Sequence, residues 1–578
     1  MSMTSLFGLF APAFLTGLLV CPAKLTPDRF GVESKNGVWW LSAPGGQRLW
    51  SLGVDCVGIG DKGKPDNPNY DGIGLFGSNE AWAADTTRKF HAWGINTLGG
   101  WSQPEPFRGQ FPYTEVLHLG SYDKAPWHDL FSTESKTIIA KAAADLIPKH
   151  RDDPKLIGYF TDNELGWWDD TLFITYFGFK KGAPGKLALV ESIRKTYGGN
   201  YSAFLREWKT DATSFEDLAA TTKIWLKAGT SGIRAVHDFN FKLASEYYRE
   251  VHDLVRRYDP SHLILGDRYC QYYNMATAEA SAPWTDVTST NAGADWTDGT
   301  YSTGYFESLY ALTGKPLMVT EFYFSANQNQ SGNRNTGNAF PKVETQEMRG
   351  SGFANCLRQL AGIPYVVGAH WFQFSDEPPK GRGDGEDWNF GLVDVKGRTY
   401  SQMESVLKGF HADQVHQSTQ SLTKHALPVA PRSPLADHLK SWDRLDGRLR
   451  SASKRQWADL YACRDASSLY FGLVPMEYGD ANLYESGKIP EVDRPLLKLK
   501  VGNWTGTVRY GFSKKASLST GIASCSERPG LKHILALQIP FKSFGKPLHR
   551  GSEVRIQAVL VSHGRGYEMK WDENLRCE

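Results

Sequence analysis

Two short stretches place carboxylates where an apolar strand would otherwise run. The first is Ile157-Gly-Tyr-Phe-Thr-Asp-Asn163-Glu164-Leu-Gly-Trp167-Trp168, an apolar run that ends in polar residues and two indoles. The second is Pro316-Leu-Met-Val-Thr-Glu321-Phe-Tyr-Phe, with one carboxylate inside an apolar strand. A buried Glu is costly unless it is paired or engaged in chemistry. For either Glu alone, an ion pair with a neighbouring Arg or Lys serves equally well. Two of them on different strands point further. Glycoside hydrolysis with retention needs such a pair: one carboxyl protonated to donate to the leaving oxygen, one ionised to attack the anomeric carbon, ~5–5.5 Å apart. Glu164 is the expected acid/base, because Asn163 beside it can orient a sugar 2-hydroxyl, and Glu321 is the expected nucleophile.

The elements that would hold these groups alternate along residues 37–410. Apolar β-like runs occur at 49–57, 95–99, 116–119, 156–160, 263–266, 287–290, 317–322 and 366–371. Several are apolar on both alternations, as in parallel strands covered on both faces. Helical patterns at 79–93, 133–149, 232–258, 302–313 and 344–361 separate them, with Gly94, Pro154, Pro260 and Gly314-Lys-Pro316 as stops. Eight strands alternating with helices predict an α/β fold, a (β/α)8 TIM barrel, whose active site lies at the C-terminal strand ends. Glu164 and Glu321 then end strands four and seven. The stretch 167–229 is an insertion or a set of extra helices.

Beyond residue 410 the pattern changes. A polar connector, 411–433, leads to short alternating runs at 469–473, 496–501, 507–512, 534–539 and 554–560, which predict a β-sandwich over 434–578. At the other end, Leu6–Val20 is a short apolar run followed by Cys21-Pro-Ala23, the pattern of a signal peptide over 1–23. The expected catalytic barrel is 24–410. The expected location is secreted or periplasmic, with cell-surface anchoring as an alternative.

Composition limits the function classes. The chain of 578 residues is 41% hydrophobic and 22% charged, enough for a large core. No stretch after the N-terminus approaches the ~20 apolar residues of a membrane span, so no integral span is expected. Net charge is +2, and residues 431–578 carry 24 Lys and Arg against 16 Asp and Glu. That mild excess does not match a nucleic-acid partner, which needs concentrated basic patches. Of 19 Trp, 15 precede residue 431; an indole presents a flat face to a sugar ring and an N–H to a hydroxyl, although many will be core. The seven Cys form no CxxC or zinc-ligand spacing, and no GxGxxG or Walker pattern follows a strand, so neither metal nor cofactor is expected.

An Asn-Glu ending strand four and a Glu ending strand seven resemble the clan A retaining glycoside hydrolases. Three stretches within about 35–410 resemble glycoside hydrolase family 50, the β-agarases: Trp93-Gly-Ile-Asn-Thr-Leu-Gly-Gly-Trp101-Ser, Asp162-Asn-Glu-Leu-Gly-Trp167, and Gly368-Ala-His370-Trp371-Phe-Gln-Phe followed by Gly383-Asp-Gly-Glu386-Asp-Trp-Asn389-Phe-Gly-Leu-Val-Asp394. The resemblance implies Asn163, Glu164 and Glu321 in the roles above, Trp371 as floor of the sugar site with His370 beside it, and Asn291 touching the ligand. Arg268 would bond a hydroxyl or the nucleophile; otherwise it is a surface ion pair, and His370 a satisfied core imidazole. The clan usually places a Tyr near strand six against the nucleophile, and here Tyr301 or Tyr323 would take that place. Trp101, Trp167, Tyr323 and Glu386 complete the expected sugar-binding set. The segment from Trp457 to Leu473 resembles family 9-type carbohydrate-binding modules. The implied activity is β-agarase-like hydrolysis of a galactose-containing polysaccharide or oligosaccharide. The alternatives are a β-galactosidase or other clan A exo-glycosidase on short glycans, and a non-catalytic carbohydrate-binding protein.

Overall fold

The computed structural model describes residues 28–577 apart from 271–273, 338–339, 419–425, 428, 430–447, 450, 452–457, 476–480, 510–516, 519–521, 523, 529–533, 546 and 563–566. The expected signal peptide and most of the connector lie outside the described residues.

Eight parallel strands build the first sheet: β1 (Ser51–Val54), β2 (Thr97–Leu98), β3 (Tyr113–Val116), β4 (Leu156–Phe160), β5 (Leu263–Ile264), β6 (Thr288–Asn291), β7 (Leu317–Phe322) and β8 (Val366–Trp371). Their order is β5-β4-β3-β2-β1-β8-β7-β6. A parallel bridge from Tyr269 to Thr290, with Asn291 N–H donating to Tyr269 O over 2.7 Å, joins the two outer strands. The sheet thus closes, and each strand neighbours its sequence neighbour as in an α/β barrel. β3 corrects one expectation. It lies at 113–116 rather than 116–119, because Tyr113-Thr-Glu-Val pairs with β4 although Thr114 and Glu115 break its apolar run.

The helices between strands follow their local signals. α1 (Asn79–Trp93) starts at Ser78, whose side chain accepts from Ala81 N–H, and ends at Gly94 with φ +69°. It buries Trp82, Phe90 and Trp93 on one face. α2 (Thr133–Leu146) is capped by Ser132 in the same way. α3 (Arg234–Tyr258) buries Leu243, Tyr247, Tyr248, Val251, Leu254 and Val255, a stripe at three- and four-residue spacing. Between β4 and α3 the insertion forms helices at Asp169–Gly178, Pro184–Thr196 and Tyr201–Glu207. α4 (Gly304–Thr313) and α5 (Gln346–Ala361) follow β6 and β7.

The sequence pattern missed a three-stranded antiparallel sheet at Gly31–Lys35, Val38–Ser42 and Arg48–Leu49. Its Leu41, with Phe30, shares one apolar cluster with Ile157, Leu263, Val287, Met318 and Val367 from the barrel strands. The hairpin therefore covers barrel core that would otherwise meet water.

The described residues beyond 457 form two antiparallel sheets. One contains Leu496–Val501, Trp504–Arg509, Glu553–Ser562 and Tyr567–Cys577; the other contains Ala458–Arg464, Ser468–Pro475, Ser524–Arg528 and Ile534–Pro540. Leu497, Leu499, Ile556 and Leu560 of the first share a cluster with Leu460, Phe471, Leu535 and Leu537 of the second. These sheets contact the barrel side. Trp296, from the loop after β6, packs with Tyr461, Cys463, Tyr470 and Val474. Ser302 hydrogen-bonds Asp459, and Gly229 N–H donates to Asp493 Oδ1 over 2.9 Å. No helix among the described residues is long and apolar enough to cross a membrane.

Candidate active site

Glu321 lies in β7 and Glu164 just beyond β4, at the C-terminal end of the barrel. Asn291, the last residue of β6, joins them. Its Nδ2 donates to Glu164 Oε1 over 2.9 Å and to Glu321 Oε1 over 2.9 Å, so those two oxygens are at most 5.8 Å apart. The same amide nitrogen is 3.1 Å from Asn163 Oδ1. Thr320 Oγ1 donates to Asn291 Oδ1 over 2.8 Å, which fixes which end of the amide faces the carboxylates.

Arg268 anchors the other side. Its side chain is fully buried, which excludes the surface ion pair. Nη2 donates to Glu321 Oε1 over 2.7 Å and to Asp55 Oδ2 over 2.9 Å, and Nε donates to Asn163 Oδ1 over 2.9 Å. A planar guanidinium suits three acceptors at fixed angles. Close packing leaves it no freedom: a methyl group on Gly100 would stand 2.5 Å from Arg268 Nη1, and one on Gly99 would stand 1.9 Å from Asp55 Oδ1. Glycine at 99 and 100 is thus a requirement of the ion pair.

The electrostatics follow from this enclosure. Burial pushes the Glu321 carboxyl up to about 8; Arg268 pulls against that rise, and Glu164 and Asp55 add to it. Glu164 is exposed, on the opposite wall. Tyr323, beside Glu321 in sequence, is held far above the usual phenol range by burial and then by the Glu321 and Glu164 charges.

A cleft of about 360 Å³ opens over the pair, lined by Trp101, Asn163, Glu164, Glu321, Tyr323 and Glu386 among others. Trp101 is 38% exposed, donates from Nε1 to His118 Nε2 over 2.9 Å, and lies with its ring centroid 4.3 Å from the Arg268 guanidinium carbon. Burial and the Arg268 charge lower the His118 pKa, which keeps it neutral and able to accept. Glu386 receives Arg382 Nη2 over 2.7 Å, and Arg382 also meets Glu377 and Asp384.

Five residues of the expected sugar-binding set do not line the cleft: Arg268 and Asn291 are buried behind the two carboxylates, and Trp167, Trp371 and His370 lie in the core. Trp167 is buried, donates to Asp267 Oδ2 over 2.7 Å and stacks on Tyr248. Trp371 is buried beneath the cleft, donates to Phe390 O over 2.7 Å and packs against Phe322 and Phe353. His370 is a core imidazole, with Nε2 2.9 Å from Ser51 Oγ and Nδ1 3.6 Å from Asp55 Oδ1. Tyr301 donates to Ala292 O and does not meet Glu321, whereas Tyr323 lines the cleft.

Asp55, His118 and Arg382 contact residues of the candidate site and were not singled out in the sequence. Asp55 has the signature that flagged Glu321, a carboxylate ending an apolar run. Five residues around the cleft share a feature invisible in sequence: Cys56, Trp101, His118, Glu164 and Arg268 have φ between +49° and +57°. They follow β1 to β5 in turn. Non-glycine residues seldom adopt this region, and such strain collects at ligand sites.

The chain is 26% identical over 363 residues to beta-agarase B of Vibrio sp. (strain JT0107), covering 58% of this chain and 36% of that protein. It is 26% identical over 389 residues to beta-agarase A of the same strain, covering 62% of this chain and 38% of that protein. The chain thus spans little more than a third of the length of these curated relatives. Among solved structures, an exo-beta-agarase superposes with a TM-score of 0.59 at 21% identity, over 68% of this chain and 66% of that one. The agarase AgWH50C superposes with a TM-score of 0.57 at 23% identity, over 69% and 66%. These likenesses establish the fold of the barrel. No family model matches the chain.

Proposed function

We propose that this chain is a retaining glycoside hydrolase of the β-agarase type, acting on a neutral galactose-containing polysaccharide or its oligosaccharides. The observation that carries the reading is the shared amide: one nitrogen of Asn291 hydrogen-bonds both Glu164 and Glu321. The resulting limit on the distance between the two bonded oxygens accommodates the ~5–5.5 Å of a double displacement.

In this reading Glu321 attacks the anomeric carbon in its ionised form, which the hydrogen bonds from Arg268 and Asn291 favour, while Glu164 protonates the glycosidic oxygen. Glu164 then deprotonates the water that releases the sugar from Glu321, with net retention. Arg268 and Asn291 hold one Glu321 oxygen, which leaves the other to attack. Asn163 faces the sugar 2-hydroxyl, and Trp101 supplies a stacking wall. The names of the curated relatives support the galactan assignment. In the same reading residues 24–410 are the catalytic barrel, and the two antiparallel sheets of 434–578 form a sandwich, like a carbohydrate-binding module, docked against it.

The test is a product profile on agarose, porphyran, a neutral galactan and aryl β-galactosides, with anomer composition followed by NMR at early times. Release of β-anomers from a galactose-containing substrate supports the reading. No cleavage of any of them, or release of α-anomers, overturns it.

A further inference from the structure

The C-terminal face holds a second hollow, of about 780 Å³, twice the volume of the catalytic cleft. Tyr122, Lys124, Trp127 and His128, from the loop after β3, line one wall. Phe179 and Lys180, from the insertion after β4, line the other. The insertion therefore creates this hollow, a task the barrel itself does not need.

Exposed aromatic rings stand on the loops that carry the two hollows. Among the described residues the large exposed aromatics are Trp101, Tyr122, Trp168 and Phe241. The first three stand on the loops after β2, β3 and β4. Tyr122 is 60% exposed, Trp168 47%. Large rings in water are costly and usually mark a binding surface when they align.

The connections are specific. Asp162, two residues before Glu164, accepts from Gly120 N–H and Ser121 N–H, each over 2.8 Å, and so pins the β3 loop to the end of β4. Tyr122 N–H donates to His118 O, and His118 accepts the Trp101 indole N–H of the cleft wall. On the other side, Trp127 Nε1 donates to Leu165 O over 3.0 Å, one residue beyond Glu164. Gly166, at φ +73°, lets both indoles close over the backbone: a methyl group there would stand 2.8 Å from Trp168 Nε1 and 3.3 Å from Trp127 Nε1. From Glu164 to Trp168 the chain reaches at most about 14 Å.

We infer that the hollow between the β3 loop and the insertion is a second saccharide-binding site, taking units of a neutral polysaccharide chain beyond those in the catalytic cleft. The inference rests on the glycosidase reading above. Tyr and Trp faces stack on sugar C–H surfaces, and their polar edges reach hydroxyls. Two of the three acids of the hollow are already engaged, Asp123 by Ser135 and Asp129 by Gly185 N–H. What remains is a mixed set, Lys124, His128, Glu134 and Lys180, without the concentrated positive charge an anionic polymer would require.

The test uses the full chain and Tyr122→Ala and Phe179→Ala variants, checked by circular dichroism. Affinity electrophoresis through agarose gives an apparent Kd; hydrolysis of agarose and of an aryl β-galactoside gives the kcat/KM ratio between polymer and monomeric substrate. Each variant is expected to raise the Kd at least fivefold and to lower the polymer-to-monomer ratio at least fivefold. If a variant fails to fold, His128→Ala, at a half-exposed side chain, carries the same expectation. A wild type that is not retarded by agarose, or variants within twofold of it on both measures, would overturn the site while leaving the glycosidase reading intact. A wild type that cleaves no galactan but is retarded, with retardation lost in Tyr122→Ala, would overturn the glycosidase reading and retain the site.

Discussion

Arg268 Nη2 lies 2.7 Å from Glu321 Oε1, and the guanidinium is fully out of contact with solvent. The same nitrogen reaches Asp55, and the neighbouring Nε reaches Asn163. One side chain thus positions the strand-seven carboxylate relative to the residue that precedes the strand-four carboxylate.

Arg268→Lys keeps the charge but loses the fork, since an ammonium on a flexible stem cannot serve Asp55, Glu321 and Asn163 in one plane. The expected outcome is a fall in kcat of at least about 100-fold, on the scale of misplaced catalytic groups. Steady-state kinetics check it. A variant within tenfold of wild type would show that the fork is dispensable.

In the proposed mechanism Glu164→Gln removes the proton donor and leaves the nucleophile. Substrates with good leaving groups need little protonation, so the first step stays fast for activated aryl glycosides and collapses for natural ones. Pre-steady-state bursts with dinitrophenyl and unactivated galactosides measure the contrast. Equal losses on both substrates would make Glu164 a structural residue.

Asp267 is buried next to Arg268, and burial pushes its carboxyl up to about 7. Its unfolded value is near 3.9. Between those two values the folded chain holds a proton that the unfolded chain has released, so this group's contribution to stability falls as pH rises from about 4 to about 7 and is constant above. Asp267→Asn keeps an acceptor for Trp167 and removes the titration. The Tm of the variant relative to wild type is therefore expected to be several degrees more favourable at pH 8 than at pH 4.5. A difference that does not change with pH would place the Asp267 pKa at its ordinary value.

Trp296 joins the loop after β6 to the C-terminal sheets. Trp296→Ala opens a cavity in that contact, and truncations of this kind cost about 3–5 kcal/mol. A fall in Tm of several degrees is expected, and a chain cut after residue 425 should lose solubility. A soluble, fully active and thermally unchanged barrel would show that the sheets do not support it.

Most of the fold could be read from sequence because the strong periodic segments are also the structural ones. α1 matches its predicted ends, since Ser78 and Gly94 act where their types suggest. β4, β7 and β8 match because both of their faces are buried. β2 and β5 lie inside the expected runs at 95–99 and 263–266 but are only two residues long, so the pattern gives their place and not their ends. At the site, a carboxylate in or just past an apolar strand marks the groups that the structure brings together, and the same signal describes Asp55. Indoles were a poorer guide. Trp167 and Trp371 are core despite their place in the motif, and Tyr122 and Trp168, which are exposed, carry no marker that separates them from buried rings. The left-handed residues following β1 to β5 depend on tertiary packing and leave no local trace.

The central claim is that Glu321 forms and breaks the bond to the sugar. Glu321→Ala should retain less than about a thousandth of wild-type kcat on an aryl β-galactoside. Added azide should restore part of it, entering the vacated space and attacking in place of the carboxylate. The product should be an α-galactosyl azide, the anomer opposite to the β-linked substrate, identified by NMR. Near-wild-type turnover without azide, or rescue that yields only the β-azide, would contradict the account.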